Sequence, residues 1–159
     1  MPHSVHRPHR AGILLIYQVF DIDGTLAHYD GWSVHFEVLN LIKSFDSTKN
    51  RLFFLTARWE AEYESTFRWL VQVLGHENFR LHCRSILHQF SIASYKRTVI
   101  DSLWQGNPAE IHFYDDDMEN LANIKRYRRH GKKPIYLYHA QEGKLTSLDS
   151  EKALKESGE

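Results

Sequence analysis

The sequence predicts an α/β domain with a mostly parallel sheet and helices on both faces. Three observations lead there. Apolar runs of strand length alternate along the chain with segments of helical periodicity. The strongest runs, "GILLIYQVF" and "RLFFLTA", are nearly continuous, as in strands buried on both faces. Two strand-like runs end in acids, "DID" at 21–23 and "DDD" at 115–117. In open parallel sheets, ligands bind at the carboxyl ends of the strands, so acids far apart in the chain can converge on one crevice.

Each element has its own signal. Residues 1–11, with His3, His6 and His9 evenly spaced, read as a disordered tail. "AGILLIYQVFDI" is the first strand. Its basic prelude resembles a secretory leader, but the run ends in acids and lacks a small-residue cleavage site. After the loop "DGTLAHYDGW", Val34, Val38, Leu41, Ile42 and Phe45 share one helical face. "RLFFLTA" is the second strand. Tyr63, Phe67, Leu70, Val71 and Leu74 mark the next helix, which Gly75 should stop. "FRLHCRSIL" is a weaker strand. Residues 92–104 read as a helix with Tyr95, Val99, Leu103 and Trp104 inward. "EIHFYDDD" is a strand, "MENLANIKRYRRHG" a short helix and "KPIYLYHA" a last strand. The expected organisation is therefore one Rossmann-like three-layer domain over 12–140, followed by a polar tail or helix over 141–159.

Composition narrows the class. The 159 residues suffice for one core. Twenty basic and twenty acidic side chains cancel, so overall charge draws the chain to neither nucleic acid nor membrane. No stretch approaches the ~20 apolar residues of a membrane span. The single Cys83 excludes an internal disulfide and reads as a small apolar strand residue, which suits a cytoplasmic setting.

The acids carry the chemistry. Carboxylates gathered in one crevice repel each other unless a hard divalent cation with oxygen ligands joins them, most often Mg²⁺ with a bound phosphate. "VFDIDGTL" resembles the first motif of the haloacid dehalogenase (HAD) superfamily of phosphohydrolases, an apolar strand followed by DxDGT. "FFLTAR" resembles the second motif, Lys96 in "SYKRTV" can serve as the third, and "FYDDDMEN" resembles the fourth. A solvated turn would explain DxDG alone, but not four groups in this order.

The resemblance implies roles. Asp21 attacks phosphorus, and Asp23 protonates the leaving oxygen and then activates water. Gly24 lets the chain turn sharply and the Thr25 hydroxyl pins that turn. Thr56 hydrogen-bonds a phosphoryl oxygen, Lys96 neutralises its charge, and Arg58 sits at the phosphate mouth. Asp116 holds Mg²⁺ with Asp21 and the main-chain carbonyl of Asp23. Three consecutive acids leave Asp115 and Asp117 as alternatives, and Asn120 stands where many relatives carry another acid.

Neither the segment between Asp23 and Thr56 nor that between Thr56 and Lys96 has room for a sizeable cap. Capless members act by resemblance on large phosphorylated substrates. "LTAR" looks like the phosphatase domains of polynucleotide kinase and RNA-repair proteins, which points to nucleic-acid ends, although those relatives usually follow the acid pair with Arg where this chain has Asp117. Free nucleotides, small phosphate esters and phosphoproteins are the alternative substrates. A phospho-acceptor switch and an inactive binding module are the non-enzyme alternatives. The run Lys125, Arg126, Arg128, Arg129, Lys132 and Lys133, with Tyr127 interleaved, reads as either a phosphate-backbone contact or cations at a helix C-terminus. Tyr29 and Trp32 either stack on a base or pack the start of the following helix.

Overall fold

A computed structural model describes residues 14–88, 90–127 and 134–149. The expected tail at 1–11, most of the basic run (Arg128, Arg129, Lys132, Lys133) and residues 150–159 lie outside the described residues. Six strands form one sheet: β1 Ile16–Phe20, β2 Asn50–Trp59, β3 Arg80–Arg84, β4 Glu110–Asp115, β5 Ile135–Gln141 and β6 Lys144–Ser147. Their order is β3-β2-β1-β4-β5-β6. The pairings through β5 are parallel and β6 is antiparallel to β5. Helices α1 Phe36–Ser44, α2 Tyr63–Leu74, α3 Ile92–Leu103 and α4 Met118–Arg126 connect them. This is a Rossmann-like domain, and among the described residues no cap domain is inserted and no helix is long and apolar enough to cross a membrane.

Strand alternation sorts the core into two layers. Tyr17 and Val19 of β1, Phe53 and Leu55 of β2, and Ile111 and Phe113 of β4 face Tyr95, Ile100 and Leu103 of α3 and Leu121 and Ile124 of α4. On the other face Phe20, Phe54 and Tyr114 meet Val38, Leu39 and Ile42 of α1 and Trp69, Leu70 and Leu74 of α2. Phe20 and Tyr114 stack at 4.0 Å, and Tyr138 continues the stack at 4.5 Å. Each such ring pair contributes about 0.5–1.5 kcal/mol beyond its burial. Gln18 interrupts the apolar β1 without leaving a buried amide unpaired. Its Oε1 accepts from the Tyr114 hydroxyl at 2.9 Å and its Nε2 donates to Asn50 at 3.0 Å.

Gly75 ends α2 as expected, at φ +80°. Two readings need correction. In α2, Phe67, Leu70, Val71 and Leu74 pack on the core as expected, but Thr66 and Trp69 are buried with them and Tyr63 is 40% exposed. The helix is turned so that Thr66 and Trp69 can serve polar groups near the ends of the strands. The segment beyond Gln141 is not a polar tail or helix throughout, because Lys144–Ser147 form β6. Glu142 (φ +50°) and Gly143 (φ +79°) make the tight turn that returns the chain beside β5.

The register positions the site. Phe20 pairs with Tyr114, so Asp21 and Asp115 leave the sheet side by side, and the Asp21 N–H donates to the Tyr114 carbonyl at 2.9 Å. β1 and β4 flank the point where the strand order reverses, where open α/β sheets form their binding crevice.

Cys83 lies half-buried in β3, and burial raises its thiol pKa to about 11. The reactive thiolate is therefore scarce in the folded protein near neutral pH. Alkylation by iodoacetamide at pH 8 is expected to be at least about tenfold slower in the native protein than in denaturant, measured by mass spectrometry.

Candidate active site

The crevice is built around three carboxylates and one ammonium. Asp21, Asp115 and Asp116 each place an oxygen within 4.8 Å of the others. Lys96, from the second turn of α3, is 2% exposed, and its Nζ donates to Asp21 Oδ1 and Asp115 Oδ2, both at 2.7 Å. Helix α3 can deliver a lysine to this depth because Tyr95, Ile100 and Leu103 anchor it on the sheet. The Thr25 hydroxyl donates to Asp21 Oδ2 at 3.3 Å, and the Thr25 N–H closes the turn on the Ile22 carbonyl at 3.1 Å.

The three consecutive acids separate by position. Asp115 is fully buried. It accepts from Lys96, from Asn120 Nδ2 at 3.2 Å and from the Asp117 N–H at 2.8 Å. Asp116 is half-exposed, and its Oδ2 accepts from the Tyr29 hydroxyl at 2.5 Å. Its main-chain carbonyl accepts from His139 Nε2, which carries the proton in that contact, at 3.0 Å. Asp117 is the N-cap of α4, accepting from the Glu119 N–H at 2.9 Å, and stands outside the cluster. Gly24 makes the close approach of Asp116 possible. At φ +84°, a Cβ there would lie 2.3 Å from Asp116 Oδ2.

Asp23 is set apart from the other acids by Arg58. The guanidinium donates from Nε to Asp23 Oδ2 at 3.0 Å and from Nη2 to Asp23 Oδ1 at 2.7 Å. It also donates to the Gly31 carbonyl at 2.6 Å and to Thr66 Oγ1 at 3.2 Å. The guanidinium carbon lies 5.2 Å from the Trp32 ring centroid and 5.8 Å from that of Trp69. The sequence suggested a phosphate contact for Arg58. Its fork is instead spent on Asp23 and its neighbours, and its side chain is only 8% exposed. Thr56 is 1% exposed, and its Oγ1 accepts from the Arg58 N–H at 3.1 Å.

Electrostatics follow from burial. Burial first, then the Asp115 charge, push the Asp21 pKa well above the ordinary aspartate value, and Lys96 offsets them only in part. Burial likewise raises Asp115 against the pull of Lys96. Burial disfavours the Lys96 ammonium, but the two carboxylates outweigh it and hold its pKa above the usual lysine value. One ammonium does not neutralise three acids. A hard cation is the partner that such an all-oxygen donor set fits, so Asp21, Asp115 and Asp116 could hold a metal ion.

His139 and Tyr29 join the site through contacts that no local pattern encodes, although His139 sits at the carboxyl end of β5, where the strand-end rule directs attention. A separate cleft of about 620 Å³, lined by Gln18, Asn50, Arg51, His76 and Arg80 among others, lies at the amino-terminal end of the strands and contains none of these acids.

No protein-family model matches the chain, and no curated protein matches it. Among solved structures, a chain from the Pnkp1/Rnl/Hen1 RNA repair complex is similar with a TM-score of 0.63 and 19% identity. The alignment covers 80% of this chain and 43% of that one, so this chain spans less than half of its neighbour's length. At that identity the likeness is one of fold.

Removing the Lys96 charge leaves two buried carboxylates without their partner. Lys96→Met, which keeps the apolar stem, is expected to destabilise the metal-free protein by about 3–5 kcal/mol in a urea titration. A change below about 1 kcal/mol would contradict the buried bridge.

Proposed function

We propose that the protein is a Mg²⁺-dependent phosphomonoesterase of the HAD type, working through an aspartyl-phosphate on Asp21, with polynucleotide ends as the leading substrate class. The observation that carries the reading is the convergence of Asp21, Asp115 and Asp116 beside the Lys96 ammonium. Asp21, Asp115 and Asp116, with the main-chain carbonyl of Asp23, are the groups that would hold the ion, and it would supply positive charge for the phosphoryl oxygens.

The chain's own groups do the rest. An Asp21 oxygen forms a bond to phosphorus as the ester bond breaks, and Asp23 gives a proton to the departing oxygen. Water then attacks the aspartyl-phosphate, Asp23 takes a proton from it, and Asp21 and inorganic phosphate are released. Thr56, three residues before the end of β2, would turn its hydroxyl to a phosphoryl oxygen. Lys96 keeps Asp21 in place and offsets charge next to it. The two Arg58 bonds hold Asp23 by both oxygens and fix its orientation at the mouth of the crevice.

An uncapped crevice favours a large substrate over one that must be enclosed, and the RNA-repair neighbour supports polynucleotide ends. The basic run supports them less. α4 starts at the site and carries Lys125 and Arg126 in its last turn, about 10 Å farther along its axis at 1.5 Å per residue. Those two cations therefore complement the helix dipole. The lone cysteine fits a cytoplasmic setting for the reaction.

Phosphate release from an aryl phosphate tests the reading. The wild type is expected to be active with Mg²⁺ and inactive with chelator. Asp21→Asn should lose at least about 10³-fold in kcat, the scale on which a removed nucleophile is felt. Unchanged activity in that variant rejects the assignment. A competition among end-phosphorylated oligonucleotides, mononucleotides and phosphopeptides then ranks the substrates. Arg58→Ala is expected to lower kcat by about 10- to 100-fold with KM nearly unchanged, part of what a positioned acid–base group supplies. A rise in KM with kcat intact would return Arg58 to a phosphate-binding role.

A further inference from the structure

We propose that Tyr29 is the platform on which the nucleobase next to the scissile phosphate stacks, which makes it the residue that selects nucleotide ends over other phosphate esters. This rests on the phosphatase reading above. The two aromatic residues of the loop after β1 have different fates. Trp32, although 53% exposed, is engaged on one side: it meets Trp69 edge-on at 6.1 Å, lies against Arg58, and its carbonyl accepts from Trp69 Nε1 at 3.1 Å. Tyr29 is 80% exposed, yet it is not loose. Its hydroxyl is tied to Asp116, and its ring edge crosses the Gly24 turn, where a Cβ would come within 2.8 Å of Cε1.

The loop beneath it is held at several points. Asp30 accepts from the Trp32 and Ser33 N–H groups at 2.8 Å each, the His28 N–H donates to the Ser33 carbonyl at 2.7 Å, and Arg58 grips the Gly31 carbonyl. The result is a flat apolar face, fixed in place, exposed to solvent and joined by its hydroxyl to an acid of the phosphoryl site. A held aromatic ring binds at low entropic cost.

The ligand that matches carries a flat ring close to its phosphate, as a nucleotide does. Arg58 and Lys96 are withdrawn onto acids, with side chains 8% and 2% exposed, so neither is offered to a phosphate backbone. Stacking on Tyr29 supplies what they do not, and it tolerates any base.

The test compares an oligonucleotide ending in a phosphomonoester, a nucleoside monophosphate and ribose phosphate, which lacks the base. Tyr29→Ala is expected to lower kcat/KM for the first two, relative to ribose phosphate, by about 5- to 100-fold, chiefly through KM, the range for one base on an aromatic ring. Tyr29→Phe should keep that ratio within about twofold of wild type. Equal losses on all three esters, or a Tyr29→Phe ratio as low as that of Tyr29→Ala, overturn the proposal and leave Tyr29 as a positioning residue for Asp116. A phosphopeptide preferred over every nucleotide also overturns it. If the wild type releases phosphate from none of them, the phosphatase reading fails, and the platform is judged by equilibrium binding of the nucleoside monophosphate. Weakening by Tyr29→Ala but not by Tyr29→Phe sustains it, and equal binding by all three proteins ends it.

Discussion

The structure depends on one buried ammonium. Lys96 joins the ends of the two central strands by donating to Asp21 and Asp115, and it comes from a helix that packs on the same sheet. Without it, two carboxylates would lie side by side in a low-dielectric crevice with only N–H and O–H dipoles to oppose them. With it, the cluster is tolerable but still short of positive charge. Fold and chemistry thus share a requirement. The bridge lets the acids be buried, and the remaining imbalance makes the crevice receptive to a further cation.

A second acid–base pair organises the outer wall. Asp23 lies within the turn that Thr25 closes on Ile22, and Arg58 fixes it from β2 while also holding the Gly31 carbonyl and Thr66. The same guanidinium lies against two indole rings, so its charge is shielded and its orientation set. The inner acids answer to Lys96 and the outer one to Arg58. That division keeps the Asp23 side chain apart from the three-carboxylate cluster, although it is only two residues from Asp21.

What was legible in the sequence has a common cause. Continuous apolar runs and acids at their ends are local patterns, and they located β1, β2, β4 and the carboxylates. The register within "DDD" was not legible, because three identical side chains carry no local distinction. The end of β4 at Asp115 and the capping of α4 by Asp117 set Asp117 apart and leave Asp115 and Asp116 together beside Asp21. The face of α2 was read correctly at Phe67, Leu70, Val71 and Leu74, but its buried Thr66 was not legible, because that polar residue serves Arg58 in another element. β6 was missed because an edge strand need not be apolar, though Glu-Gly with its positive φ values was the available sign of a hairpin. The Tyr29 and His139 contacts to Asp116 join distant parts of the chain, and no periodicity reports them.

The strand order bears on synthesis. β1, β2 and β3 can pair as soon as they exist, but the other edge of β1 stays bare until β4 has been made. Until then the nascent half-sheet offers unpaired N–H and C=O groups beside Val19 and Phe20, the kind of edge that recruits other chains. The strand that covers this edge is also the one that brings Asp115 to Lys96. Closing the hazard and completing the acid cluster are therefore the same folding event, and a half-made chain is at once sticky and without its crevice.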